Sequence, residues 1–161
     1  MRILGIDPSV RSTGYGVIDC GGSILRLVEA GVIVTNARES FAQRLHDISA
    51  SLEAVIKATH PDLVAIEEVF ARAVNPKTTI MMAHARGALL AVAAHAGLGI
   101  VEFSATSVKR AVAGSGSASK QQVGAMVSHV LALTHTPRPA DVTDALALAI
   151  ACANRNGRRS R

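Results

Sequence analysis

The chain has 161 residues, which is the size of one domain, and 49% of them are hydrophobic, which is enough to build a buried core. Its net charge of +5 favours a polyanionic partner such as nucleic acid. No run has the length and the apolar character of a membrane span or a secretory signal, so we expect no contact with membranes.

The first predicted elements form an antiparallel meander. MRILGI is a short apolar run that ends at Asp7 and Pro8, where the proline stops strand pairing. TGYGVIDC continues as a second strand, and Gly21 and Gly22 predict the hairpin turn into a third strand, ILRLVEAGVIV.

Helices and buried strands alternate in the rest of the chain. ARESFAQRLHDISASLEAVIKATH has apolar residues at helical spacing from Phe41 to Ile56, and Pro61 ends this helix. The strands DLVAIEE and GIVEFS flank a long helix, PKTTIMMAHARGALLAVAAHAG, which Gly97 ends. The last three predicted helices are ATSVKRAVAG, KQQVGAMVSHVLAL and ADVTDALALAIACAN.

This order of elements predicts an α/β fold. The expected sheet is mixed and five-stranded, with an antiparallel meander and parallel strands, and helices flank it. We expect one domain over residues 1–154 and a basic tail over 155–161, where four of seven residues are Arg and which we expect to be disordered. Cys20 and Cys152 lack metal-ligand spacing and indicate reduced thiols in a cytoplasmic protein.

Charge is segregated along the chain. Between Val69 and Ala140 the only acidic residue is Glu102. A solvated basic face is the alternative explanation, but the strong segregation favours a phosphate-binding surface. The basic residues of this stretch are Arg72, Lys77, Arg86, Lys109, Arg110, Lys120 and Arg138.

Acidic residues stand at the ends of several predicted elements. Asp7 ends the first strand, Glu67 and Glu68 end the fourth, and Asp141 and Asp144 open the last helix on one helical face. Adjacent strand residues point to opposite faces, so at most one of the two glutamates belongs to a shared site, and the spacing does not decide which. Turn formation and helix capping are structural explanations for Asp7 and Asp141.

Together these acids predict a metal site. The carboxyl ends of neighbouring strands can bring Asp7 and one glutamate together, and the start of the last helix can add Asp141 and Asp144. Clustered carboxylates repel one another unless cations neutralise them, and ligand sets made only of oxygen suit Mg²⁺ or Mn²⁺. Two such ions can promote displacement at a phosphate, so a basic protein with this site predicts a nuclease.

Five motifs cover nearly the whole chain, in the order GIDPSVRSTGYGVI, AIEEVF, ARG at 85–87, VKRAVAGSGSASKQQV and ADVTDALALAIA. In content and order they resemble the motifs of the RuvC-type Holliday junction resolvases of bacteria, which have a ribonuclease H-like fold. The family usually has Gly after Asp-Pro, whereas this chain has Ser9. The departure concerns the shape of the turn and not the acid before it.

The resemblance implies a homodimer that binds a four-way DNA junction and nicks two strands symmetrically in recombination and repair. It implies that Asp7, Glu67, Asp141 and Asp144 bind Mg²⁺ or Mn²⁺, with two ions in each active site, and it selects Glu67 over Glu68. Relatives have Asp or His at the first acid of the final pair, and this chain has Asp. By resemblance, the branch-migration proteins RuvA and RuvB are expected partners.

Other residues are expected to bind DNA. The resemblance implies that Phe70 stacks on an unpaired base at the crossover and that Lys109 and Lys120 are basic positions of the site. Core packing is the alternative for Phe70, and an ordinary exposed helix position is the alternative for Lys109. Lys120 opens a helix, where a cation opposes the helix dipole, so a purely structural role is unattractive. Arg11 and Arg86 are further candidates for phosphate contacts, with surface or packing roles as the alternative.

Three other functions compete with the resolvase. A nonenzymatic junction-binding protein would not need the four intact acids. A sugar kinase or actin-like ATPase has a phosphate hairpin similar to GIDPSVRSTGYGVI but needs two such domains. A ribonuclease H acting on RNA–DNA hybrids shares the fold, and the segment from Val108 to Val123 favours the resolvase over it.

Overall fold

The computed structural model describes residues 1–21, 24–68 and 76–159, and a five-stranded sheet organises them. Its strands are β1 (Arg2–Asp7), β2 (Ser12–Gly21), β3 (Ile24–Val34), β4 (Leu63–Glu67) and β5 (Gly99–Phe103). Their order across the sheet is β3-β2-β1-β4-β5.

The sheet mixes two kinds of strand pairing. β1 and β3 both pair antiparallel with β2, whereas β4 pairs parallel with β1 and β5. The mixed sheet and the fold class predicted from the sequence are therefore confirmed. Because β1, β4 and β5 run in one direction, their final residues, Asp7, Glu67 and Phe103, lie along one edge of the sheet, which we call the carboxyl edge.

The described residues contain five helices, and serine N-caps precede three of them. Before the first helix, the Ser40 hydroxyl accepts a hydrogen bond from the backbone N–H of Gln43 at 3.2 Å. Before the fourth, Ser119 and Gln122 form a reciprocal capping box. The helices are α1 (Phe41–Thr59), α2 (Pro76–His95), α3 (Ala105–Ala113), α4 (Lys120–Val130) and α5 (Ala140–Arg159).

The two faces of the sheet bury separate hydrophobic layers. Successive residues of a strand point to opposite faces. Along β1, Ile3 therefore packs in the layer with α3, α4 and α5, whereas Leu4 packs in the layer with α1 and α2. Along β4, Ala65 and Ile66 divide in the same way. This alternation decides which residues of the carboxyl edge face α5.

Two glycines let α5 lie directly on the sheet. A Cβ at Gly5 would lie 2.0 Å from the carbonyl oxygen of Ala145, and one at Gly14 would lie 2.0 Å from the carbonyl oxygen of Asp141. Only a residue without a side chain permits this backbone contact. Gly14 also pairs with Asp7 across β1 and β2, so the first turn of α5 lies beside the end of β1.

The end of the chain differs from the sequence prediction. The last helix was expected to end at Asn154, before a basic tail over 155–161, whereas α5 extends to Arg159. The guanidinium of Arg155 lies 5.6 Å from the centre of the Phe103 ring, a cation–π distance.

Within the described ranges, no helix combines the length and the hydropathy required to cross a bilayer. Cys20 and Cys152 are both free thiols.

Candidate active site

The carboxyl edge places Asp7 and Glu67 on the face of the sheet that α5 covers. Gly5 contacts α5, so Asp7, two residues later in β1, points to the same face. Glu67 follows Ala65 by the same interval in β4, and Ala65 belongs to the layer with α5. Glu68 has the opposite orientation in this alternation, and its N–H donates to the carbonyl of Phe103 at 2.9 Å.

The first two turns of α5 supply the other two acids. Asp141 and Asp144 are three residues apart and lie on one side of the helix. Asp141 lies over Gly14, and its Oδ2 accepts a hydrogen bond from the hydroxyl of Ser12 at 2.6 Å. Asp144 lines a pocket together with Glu67. The structure thus brings all four predicted acids to one end of the sheet.

The electrostatics of Asp7 show that the four acids act on one another. Burial, followed by the charges of Asp144, Glu67 and Asp141, raises the pKa of Asp7 from 3.8 to about 7. Burial and the charge of Asp144 also raise the pKa of Glu67. Such shifts mean that the fully ionised cluster is unfavourable without a cation.

Lys120 supplies one cation to this cluster. Its Nζ donates a hydrogen bond to Oδ2 of Asp144 at 2.8 Å, and this bond raises the pKa of Lys120. The ammonium also favours the ionised forms of Asp7 and Glu67. Although Lys120 is the first residue of α4, where the helix dipole disfavours a cation, the acids of α5 compensate.

A pocket of about 130 Å³ opens beside the acids. Glu67 and Asp144 lie on its wall with Lys109 and Lys120, and apolar residues of α3, α4 and α5 complete the lining. The charge of Lys109 favours ionised Glu67. Carboxylates beside two ammonium groups can hold both a metal cation and the phosphate that it acts on.

The donor set fits a hard divalent cation. All four acids offer oxygen ligands. Burial and the neighbouring carboxylates disfavour the negative charges of Asp7 and Glu67, and a bound cation would neutralise these charges. Among the described residues, no three His, Cys, Asp or Glu side chains form a ready-made metal-ligand group. Two of the four carboxylates are instead bonded to Ser12 and Lys120. The chemistry of the site therefore suits a cation, although no ligand shell is preformed.

Comparison with known proteins decides the family. The family model "Crossover junction endodeoxyribonuclease RuvC" matches residues 3–152. This chain belongs to the RuvC family. It is therefore an endodeoxyribonuclease that acts on Holliday junctions, as the sequence motifs predicted.

Individual RuvC proteins support the assignment. The chain is 48% identical to the crossover junction endodeoxyribonuclease RuvC of Bordetella avium over 150 residues, which is 93% of this chain and 82% of that protein. It matches the Thermus thermophilus RuvC structure with a TM-score of 0.91 and 34% identity, covering 99% of this chain and 97% of the other. It also matches T. thermophilus RuvC in complex with Holliday junction substrate, with a TM-score of 0.88, 32% identity, and coverage of 97% and 95%.

Arg86, a residue of the ARG motif shared with RuvC, supports the site from within. Its Nε donates to the carbonyl oxygen of Glu67 at 2.8 Å, and its terminal nitrogen forms an ion pair with Glu102. The side chain is only 16% exposed. Arg86 therefore holds the end of β4 in place. Its hydrogen bonds favour a packing role, the alternative to a phosphate contact in the sequence analysis.

Arg11 lies on the turn between β1 and β2, in the opening RuvC motif, and is exposed. The carbonyl of Val10 beside it accepts hydrogen bonds from the Thr35 hydroxyl at 2.6 Å and from Arg44 at 3.1 Å. Ser9, which replaces the usual glycine, does not adopt a positive φ, so the turn tolerates a side chain there. The turn presents Arg11 to solvent from a fixed backbone.

Three residues at the border of the RuvC site were either not described by the structure or not predicted from the sequence. Phe70 lies outside the described residues, so its predicted stacking role stays a prediction. Two contacts were not predicted from the sequence: Ser12 bonds to Asp141 in the site, and Arg44 bonds to Val10 in the turn beside it. For Ser12 a signal existed, because it precedes Gly14 by two residues and so shares its face of the strand. No local pattern marks Arg44.

Proposed function

We propose that the chain resolves four-way junctions by hydrolysing phosphodiester bonds at the carboxyl edge, with divalent cations held by Asp7, Glu67, Asp141 and Asp144. The observation that carries the proposal is the convergence of these four acids at the carboxyl edge, where burial and then the charges of Asp144, Glu67 and Asp141 raise the pKa of Asp7 to about 7. Oxygen ligands favour Mg²⁺ or Mn²⁺, and four carboxylates suit two ions in each site.

The residues around the acids have separate roles in this proposal. When bound, the cations supply Lewis acidity at the scissile phosphate and lower the pKa of a water molecule. Lys120 leaves Asp144 to donate hydrogen bonds to the phosphate, and Lys109 at the pocket wall adds a second ammonium. Asp7 and Glu67, at the ends of rigid strands, fix the position of the reaction relative to the sheet.

DNA binding extends from this pocket in the proposal. Arg11 on its fixed turn contacts phosphate, and Phe70 stacks on a base at the crossover. Arg86 is placed among the supports of Glu67, because its donors are engaged within the protein. Phosphate contacts position the junction without reading its sequence.

Symmetric nicking requires two active sites, and we propose a homodimer for that reason. α2 carries two exposed apolar side chains, Ile80 at 57% and Met82 at 37% exposure, which suit a subunit interface. RuvA and RuvB are proposed partners from family membership. The free thiols of Cys20 and Cys152 agree with a reducing, cytoplasmic location.

The test is cleavage of an end-labelled synthetic four-way junction beside a plain duplex and an RNA–DNA hybrid, with Mg²⁺, with Mn²⁺ and with EDTA. Paired symmetric nicks in the junction alone, only with metal, support the proposal. Nicks that persist in EDTA would contradict the proposed metal site. Cutting of the hybrid in preference to the junction would move the assignment to a ribonuclease H.

A further inference from the structure

One hydrogen bond of the site joins residues 129 positions apart in sequence. The hydroxyl of Ser12, the first residue of β2, donates to Oδ2 of Asp141 at 2.6 Å. Within the described parts of the chain, no hydrogen bond reaches Oδ1 of Asp141. One carboxylate oxygen is therefore held by the protein, and the other remains available to a ligand.

The sheet delivers this hydroxyl to the carboxylate through its period of two. Ser12, Gly14 and Gly16 point to the same face of β2. A Cβ at Gly16 would lie 2.5 Å from Leu146 of α5, and one at Gly14 would lie 2.0 Å from the carbonyl oxygen of Asp141. Gly14 therefore admits the helix backbone, and Gly16 admits the side chain of Leu146. Ser12, the next residue in this row, contacts the side chain of Asp141, the second residue of α5.

The two acids of α5 are held in chemically different ways. Asp144 is paired with the ammonium of Lys120, which must move if a cation is to take its place. Asp141 is held by a neutral hydroxyl, which fixes the carboxylate without neutralising it. A hydroxyl donor also restricts the rotamer of the acid, as ligand-supporting groups do in metal sites.

We propose that Ser12 is a positioning residue, whose hydroxyl orients the carboxylate of Asp141 toward the divalent cation. This inference rests on the proposed function, because it assumes that Asp141 is a ligand. Ser12 contacts neither DNA nor the reacting atoms in this role. Its effect is on the concentration of metal that the site needs.

The experiment compares S12A with S49A in the full-length protein. Ser49 is a matched control, because it is also partly buried and its hydroxyl bonds within the protein, to the carbonyl of Leu45 at 2.9 Å, but on α1. Three quantities are measured: Mn²⁺ binding without DNA by electron paramagnetic resonance, junction cleavage against Mn²⁺ concentration, and junction affinity in EDTA.

S12A is expected to need roughly 10-fold more Mn²⁺ for half-maximal binding and for half-maximal cleavage, the usual scale for losing a ligand-supporting hydrogen bond. S49A should match the wild type in both, and junction affinity in EDTA should be the same for all three proteins. A pair of nearly equal volume, S12T and S12V, isolates the hydroxyl, and the threonine variant alone should restore the metal dependence.

Two other results would overturn the idea in distinguishable ways. If wild type and S12A share one Mn²⁺ titration and one cleavage curve, Ser12 has no positioning role, while the proposed function stands. If the wild type binds no Mn²⁺ or leaves the junction intact, the proposed function fails and this inference fails with it. Should S12A unfold, equal curves for S12T and S12V would still exclude the hydroxyl.

Discussion

Asp7 is the residue on which the proposed reaction depends most. It ends β1, and burial followed by the charges of the other three acids raises its pKa. Replacing it by Asn keeps the shape and removes the charge. We expect D7N to bind the four-way junction with wild-type affinity in EDTA and to cut it at least about 100-fold more slowly. A gel-shift and a cleavage assay measure the two quantities, and near-normal nicking by D7N would refute the assigned metal site.

Asp7 also predicts how stability depends on pH. Its pKa is about 7 in the folded protein and 3.8 ordinarily, so between these values the folded state binds more protons than the unfolded state. The free energy of unfolding therefore falls as pH rises from about 4 to 7. Above pH 7, metal-free D7N should be more stable than wild type by about 2–4 kcal/mol.

Denaturant unfolding at pH 4 and pH 8 measures this difference. It should be small at pH 4, where the carboxyl is mostly protonated in the folded protein. Saturating Mg²⁺ should raise the stability of the wild type at pH 8 and that of D7N much less. Equal unfolding curves for both proteins at pH 8 would show that the ionised carboxylate of Asp7 does not destabilise the folded protein.

Lys120 is expected to affect the rate of cutting more than the affinity. Its side chain is 75% exposed, so its ion pair with Asp144 contributes less than about 1 kcal/mol to stability. K120A should thus fold normally and cut roughly 100-fold more slowly, since one donor to the charged phosphate is lost. K57A is the control, because Lys57 is also exposed and paired with a carboxylate, on α1. Equal rates for the two variants would make Lys120 a surface residue.

At the scale of single residues, the sequence predicted which acids converge but not what holds them. Strand alternation alone does not decide whether Glu67 or Glu68 faces α5. The structure decides it, because Ala65 packs in the layer with α5 and Glu67 follows Ala65 by two residues. The supports of the site, Ser12 and Arg86, depend on contacts between distant parts of the chain. Such contacts have no periodic signature in the sequence.

The element that assembles the site is α5. Its first two turns carry two acids, and its backbone approaches β1 and β2 at glycines. G14A would place a Cβ 2.0 Å from the carbonyl oxygen of Asp141. Because backbone atoms cannot yield as a flexible side chain can, we expect G14A to lose about 2–3 kcal/mol of stability and most of its cleavage activity.

Gly87 provides the matched control for this prediction. A Cβ there would meet nothing within 4 Å, and it lies inside α2. G87A should therefore gain up to about 1 kcal/mol, since Ala favours a helix over Gly. Thermal unfolding of both variants checks the pair. Equal melting temperatures for G14A and the wild type would mean that the helix can move away from the sheet without cost.

Elements were easier to predict than their ends. The five strands and five helices follow from hydrophobic periodicity and from turn residues, and the structure confirms them. The predicted last helix ended at Asn154, where the polar composition begins, whereas α5 extends to Arg159. Tertiary packing extends a helix that composition alone would stop.

For the protein as a whole, the open question is how two active sites meet one junction. If α2 forms the proposed dimer interface, I80E should shift the protein toward monomers in sedimentation experiments. It should also convert paired nicks into single ones. I24E is the control, because Ile24 is equally exposed, at 58% against 57%, but lies on the edge strand β3. A dimeric I80E protein would locate the interface elsewhere.

The packing of α5 on the sheet links the active site to the unfolding of the whole protein. Leu146, Ala149 and Ile150 are fully buried, so the helix that carries Asp141 and Asp144 also completes the core. Its backbone amides should be among the slowest to exchange with deuterium, opening only in global unfolding. Cutting activity and native structure should then disappear in one transition, so no partly unfolded form of this nuclease would keep a working site and cut DNA.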